Sequence, residues 1–137
     1  MAHRRALVAA SAIQLAAGLV GQVLSLRRRR AFDVPLMRGD PAHVGRDSLW
    51  FGTSYSAPAY MLGAQAWAVA RLAAGPHERA RQALRILGTG MVGGYLVERF
   101  NRRLLTPAGA DPVETPVVVV GLAGSVAMAV LGRSVSP

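Results

Sequence analysis

The sequence predicts an all-α protein, an integral membrane bundle of four transmembrane helices, and three observations carry that prediction. Of the 137 residues, 52% are hydrophobic and only 17% are charged, a departure from the soluble average toward membrane proteins. The charges gather at Arg4-Arg5, Arg27 to Asp47, Arg71 to Arg85, Glu98 to Arg103, Asp111 to Glu114 and Arg133. Between them lie uncharged tracts, three of which run for 17 residues or more. At about 1.5 Å per residue, helices of that length cross most or all of a hydrocarbon core of about 30 Å.

The first helix is expected over residues 6–26, where Ala6 to Leu26 gives 21 residues without a charge. A basic start followed by an apolar run also resembles a secretory signal. This run is longer than a usual signal core and ends in Arg27 to Arg30 instead of a cleavage site, so it reads as retained. The second helix is expected over 49–71. It is entered through Asp47-Ser48 as a capping pair and Trp50-Phe51 as interfacial aromatics, and Arg71 and Gly75-Pro76 end it. Pro58 predicts a kink or local unwinding inside it.

The third helix, expected over 82–105, is anomalous. Its uncharged core, Ile86 to Val97, has only 12 residues, roughly 18 Å of helix. To cross, it must recruit charged residues at one or both ends, with arginines snorkelling and the shorter Glu98 held nearer the apolar layer. The fourth, over 115–132, opens at Pro116, a first-turn position that needs no amide donor.

Small and polar residues recur at helical spacing. Gly90 and Gly94 form a G-x-x-x-G pair and Gly121 and Ser125 a related pair, while Ser11, Gln14, Gly18, Gln22 and Ser25 line one stripe of the first helix. Such stripes predict close helix packing where lipid supplies no hydrophobic drive between helices. Gly88, Gly90, Gly93 and Gly94 lack a Walker lysine and lie in an apolar tract, so packing, not a phosphate cradle, is the expectation.

Four spans put both termini and the 71–85 link on one face, Y, and the 27–48 and 104–115 loops on the other, X. Arginines number 9 toward X (27, 28, 29, 30, 38, 46, 99, 102, 103) and 7 toward Y (4, 5, 71, 79, 81, 85, 133). That balance weakly favours X as cytoplasmic and also permits antiparallel copies. Six of the seven acids fall on X and Glu78 alone on Y.

Cysteine is absent, which excludes disulfides, thiolate metal sites and cysteine nucleophiles. The net charge of +9 does not point to nucleic acid, because the arginines flank apolar tracts and no stacking module accompanies them. All sixteen basic residues are arginine, a usage that fits a GC-rich coding sequence together with abundant Ala, Gly and Val. No cofactor is expected. His43, Asp47 and Asp40 have helical spacing for a metal, but a loop with so few fixed ligands predicts none, and Asp47 reads better as a helix cap.

Antiparallel neighbours bring the start of the second helix and the end of the third together at face X. The candidate acid–base residues there are Glu98 and Tyr55, with His43 and Asp47 covering them from the loop. Ser54, Ser56, Asn101, Arg102, Tyr95 and Gln65 are candidate ligand-binding groups. A carboxylate so placed would be raised by desolvation and lowered by Arg102, and so exchange protons near neutral pH. The competing expectation is a Glu98–Arg102 salt bridge at i, i+4 that merely closes the helix.

Two function classes follow. One is a multi-pass cell-membrane protein, with the lipid bilayer as its solvent, that binds or converts a lipophilic small molecule at face X. The other is a non-catalytic subunit packing in a homo-oligomer or a larger membrane complex. An ion-coupled exporter is disfavoured, since the uncharged tracts carry no midplane carboxylate. A small oligomeric channel lined by Ser, Thr and Gln remains the third option. The plan of one helix, a basic loop and three closely linked helices resembles small bacterial four-helix membrane families such as the DoxX-like proteins. The resemblance is architectural, so no residue role is carried over.

Overall fold

The computed structural model describes residues 1–53 and 55–133. About three quarters of the described residues are helical. Four long helices dominate: α1 (Ala2–Arg28), α3 (Ala59–Ala74), α4 (Glu78–Val97) and α6 (Glu114–Leu131). Two short ones, α2 (Val44–Trp50) and α5 (Arg99–Leu104), lie at one end of them. The expectation of an all-helical chain missed one element, a small antiparallel hairpin of β1 (Asp33–Val34) and β2 (Met37–Arg38).

The long helices form a closed ring in which α1 packs on α6, α6 on α4, α4 on α3 and α3 on α1. Contacts at the ends fix their directions. At face Y, Arg4 donates to the Leu72 carbonyl at 2.9 Å, and the His3 ring lies 2.7 Å from the Leu131 carbonyl. The start of α1 therefore meets the ends of α3 and α6. At the opposite end Arg28 reaches Glu114, in the first turn of α6, at 2.6 Å.

Among the described residues α1 and α6 are long and apolar enough to cross a membrane, and only 33% of each apolar stretch is buried. The rest faces outward: Ile13, Leu19, Val20 and Val23 on α1, and Val119, Val126 and Val130 on α6, are exposed. So are Trp67 on α3 and Ile86 on α4, the latter 65% exposed. Inside the ring, apolar clusters around Leu7, Leu72, Leu84 and Met128 and around Leu62, Met91 and Val118 are joined by a buried polar seam of Ser11, Gln14, Gln65 and Ser125. The Gln65 amide donates to the Gln14 side chain at 2.7 Å and to the Ser11 carbonyl at 3.0 Å, tying α3 to α1.

Two expected helices are broken, both at face X. The helix expected over 49–71 is α3, preceded by irregular residues at 51–53 and 55–58. Gly52 stops the chain at φ +86°, and Pro58, extended at ψ 149°, caps α3. Proline removes an amide and disfavours helix in the residue before it, so the helix cannot continue back through 57. Asp47 caps nothing with its side chain. It lies within α2, which begins at Val44, and its carbonyl accepts the amides of Phe51 and Gly52.

The helix expected over 82–105 divides at Glu98, whose backbone is extended at ψ 117°. The chain takes its missing length from the other end, since α4 begins at Glu78 and spans 20 residues, about 30 Å.

The glycines sort differently from the G-x-x-x-G expectation. A Cβ on Gly88 would meet Met128 at 2.6 Å, and one on Gly124 would meet Gln14 at 2.6 Å, so these are the close helix approaches. A Cβ on Gly90 or Gly94 would meet nothing within 4 Å. That pair does not pack a helix; it opens onto a cavity.

Candidate functional site

The two helix breaks and the hairpin enclose a cavity of about 220 Å³ at face X. Its apolar wall comes from Phe32, Met61, Met91 and Pro58, with the exposed Met37 and Phe51 at its rim. Gly90 and Gly94 floor one side, leaving space that any larger side chain would fill. Five of the residues anticipated as site groups line it: Tyr55, Ser56, Tyr95, Glu98 and Asn101. They come from the irregular residues before α3, from α4, from the break at 98 and from α5. The helix interruptions are therefore what bring them to one wall.

Glu98 is buried, 4% exposed. Its carboxylate accepts the Asp33 amide through both oxygens, at 2.9 and 3.0 Å, and the Phe100 amide at 3.4 Å. It thus caps α5 and anchors the hairpin to the helix break. Burial pushes the carboxyl up, to about 7. The Asp33 and Phe100 amides oppose that shift, the Asp33 charge adds to it, and Arg102 lowers it slightly. The expected Glu98–Arg102 salt bridge is not among the ion pairs of the described residues. The break at 98 turns the carboxylate back toward the hairpin, and Arg102 is left exposed.

Polar capacity is left over around the cavity. Asn101 Oδ1, Thr53 Oγ1 and the Tyr55 hydroxyl are buried without a hydrogen-bond partner. Buried polar groups are usually paired, so among the described residues Asn101 Oδ1 and Thr53 Oγ1 mark places where a ligand or water fits, whereas the Tyr55 hydroxyl is directed away from the cavity. Tyr55 is fully buried, its ring 5.6 Å from that of Phe100, and its hydroxyl faces Glu114 and Arg30 without the geometry of a hydrogen bond to either. Tyr95 donates from its hydroxyl to the Tyr55 carbonyl at 3.3 Å, holding the irregular stretch against α4.

The other anticipated residues lie elsewhere. His43 is exposed and pairs with Asp40 at 3.3 Å instead of covering the cavity. Asp47 is buried against Arg46 at 3.2 Å. Gln65 belongs to the polar seam inside the helix ring, and Arg102 does not line the cavity. Ser54 lies outside the described residues.

One charged group escaped the sequence reading. Glu114 is 2% exposed and takes Arg28 at 2.6 Å and Arg30 at 3.7 Å. It followed a loop and looked like an ordinary first-turn acid. Its signal was the string of arginines that closes α1, which needs an acceptor on the same face.

No family model, curated protein or solved structure matches the chain. Function therefore rests on the geometry just described.

Proposed function

We propose that this chain is a multi-pass membrane protein whose four long helices cross the bilayer and whose face-X cavity binds a lipophilic small molecule with one polar end. The single observation that carries this is the composition of that cavity, a mostly apolar box whose lining also includes the polar groups of Glu98 and Asn101. Ligand sites are typically apolar enclosures with a few placed polar groups. At about 220 Å³ it is smaller than the roughly 300–1,000 Å³ of drug-sized sites. It suits a compact molecule or the head of a longer, lipid-like one.

Two further features support the membrane part. Large apolar side chains face outward along α1 and α6, and the mostly apolar interior carries a buried polar seam of Ser11, Gln14, Gln65 and Ser125, an arrangement that lipid tolerates better than water. The irregular stretch that interrupts the second span keeps Thr53, Tyr55 and Ser56 buried in protein, as backbone near lipid must. Glu98, a buried carboxyl on the cavity lining, is the group through which acid–base conversion of a bound molecule would extend binding.

The test uses the open glycines. Gly94→Leu or Gly90→Leu fills the cavity without meeting any existing atom within 4 Å of the new Cβ. Detergent-purified wild-type protein should retain a small lipophilic molecule detectable by mass spectrometry of a solvent extract. Either variant should lose it while keeping the same helix content and elution volume. Equal retention by wild type and both variants would remove the cavity from consideration.

A further inference from the structure

A second cavity, of about 270 Å³, lies on the other side of the segments that wall the first. Phe32 and Glu98 face the apolar cavity, while their neighbours Ala31, Asp33, Arg99 and Phe100 face this one. Five arginines line it: Arg29, Arg30, Arg38, Arg99 and Arg103. They arrive from the end of α1, from β2 and from α5, so three separate elements deliver positive charge to one concavity. Asp33 is its one acid, and it engages Arg99 only at 3.9 Å. Arg29, Arg38 and Arg103 have no ion pair among the described residues.

Like charges lining one concavity repel one another, weakly where they are exposed, and their gathering contributes nothing to an isolated fold. Two of the five are structurally placed. Arg30 lies over the Phe100 ring at 4.5 Å, and its Nε faces Glu114 at 3.7 Å, so part of its charge is already compensated. Arg29 adopts φ 51°, the single positive φ among the described non-glycine residues, and turns the chain from α1 toward the hairpin. A GC-rich coding sequence explains why these residues are arginine and not lysine. It does not explain why residues 29, 38 and 103 share one cavity. Planar guanidinium groups bind phosphate oxygens in pairs, and several around one concavity suit a group of two or more negative charges.

We propose that this arginine-lined cavity is a binding site for a phosphate group carrying more than one negative charge. The group can belong to an anionic lipid headgroup at face X or to a soluble phosphate compound, since basic pockets at helix ends take both. The site does not depend on what occupies the apolar cavity.

Two probes separate the sources. Inorganic pyrophosphate is titrated into the detergent-purified protein by calorimetry. In parallel, protein reconstituted with mixed phosphatidylcholine and phosphatidic acid is released and its retained lipid counted by native mass spectrometry. Arg38→Gln/Arg103→Gln, two exposed positions, should weaken the probe that binds by at least about tenfold. The control Arg71→Gln/Arg79→Gln removes the same charge at face Y and should stay within about twofold. Binding of pyrophosphate identifies a soluble ligand, and retention of phosphatidic acid alone identifies a headgroup; both support the site. Equal weakening by the two double variants would reduce it to net charge, and binding of neither probe by folded wild type would also overturn it. Should the cavity double variant fail to fold, Arg38→Gln alone, on the hairpin edge, makes the same comparison.

Discussion

Glu98 shows how one residue can serve structure and chemistry together. Its carboxylate caps α5 and holds the hairpin amide, yet burial lifts its pKa from 4.5 to about 7. A carboxyl whose folded value lies above its unfolded one favours the neutral form in the fold. Its contribution is fully present below about pH 4.5 and is lost as pH rises through about 7. Thermal unfolding in detergent should therefore show stability falling between about pH 5 and 8, by no more than about 3 kcal/mol from this group. Glu98→Gln should flatten that slope and also weaken ligand retention, whereas a slope unchanged in the variant would assign it to another group. Glu114 makes a second prediction. With Arg28 at 2.6 Å and itself buried, Glu114→Ala should cost about 1–3 kcal/mol in denaturant unfolding, discounted because Arg28 is partly exposed.

The helix interruptions set the element scale. Gly52 sits at φ +86°, and a Cβ there would meet the Ser56 carbonyl at 2.6 Å. Gly52→Ala should destabilise the irregular stretch by about 1–3 kcal/mol and loosen the cavity wall with it, seen as lower Tm and faster amide exchange in 51–58. Gly90→Ala and Gly94→Ala should do the reverse. Nothing lies within 4 Å of either new Cβ, and alanine is favoured over glycine in a helix by up to about 1 kcal/mol, so Tm should hold or rise. Gly88→Ala, aimed at Met128, should lower it. The three α4 positions, 88, 90 and 94, read alike in the sequence as glycines of one apolar tract. Only the packing of α4 against α6 tells a close approach from a cavity floor.

At the scale of the whole molecule, the decisive feature is the apolar exterior of α1 and α6, where Ile13, Leu19, Val20, Val23, Val119, Val126 and Val130 are exposed. It makes a topological prediction that the cysteine-free chain suits well. Leu36→Cys, at the 99% exposed hairpin turn of face X, and Arg79→Cys at face Y should react with impermeant maleimide from opposite sides of sealed vesicles. Labelling of both from one side would deny the four-span arrangement. Labelling of each from both sides would instead indicate antiparallel copies, as the near-equal arginine distribution permits.

Part of the cavity lining was anticipated from the sequence, namely Tyr55, Ser56, Tyr95, Glu98 and Asn101. Tyr55 and Glu98 lie just outside the facing ends of α3 and α4, so the antiparallel order anticipated their neighbourhood, while the helix interruption at Glu98 that helps place them was not foreseen. His43 and Asp47 were not placeable in the same way, because a loop's path depends on local capping. Asp40 and Arg46 took those side chains instead.

Composition and charge spacing determined the helical class and the apolar lengths of α1 and α6, because hydrophobic runs and their flanking charges are properties of the chain itself. Tertiary structure alone decided where α3 and α4 stop, which glycines face a void, and that arginines 29, 38 and 103 meet. Those outcomes depend on contacts between segments distant in sequence, whose energies no local pattern contains.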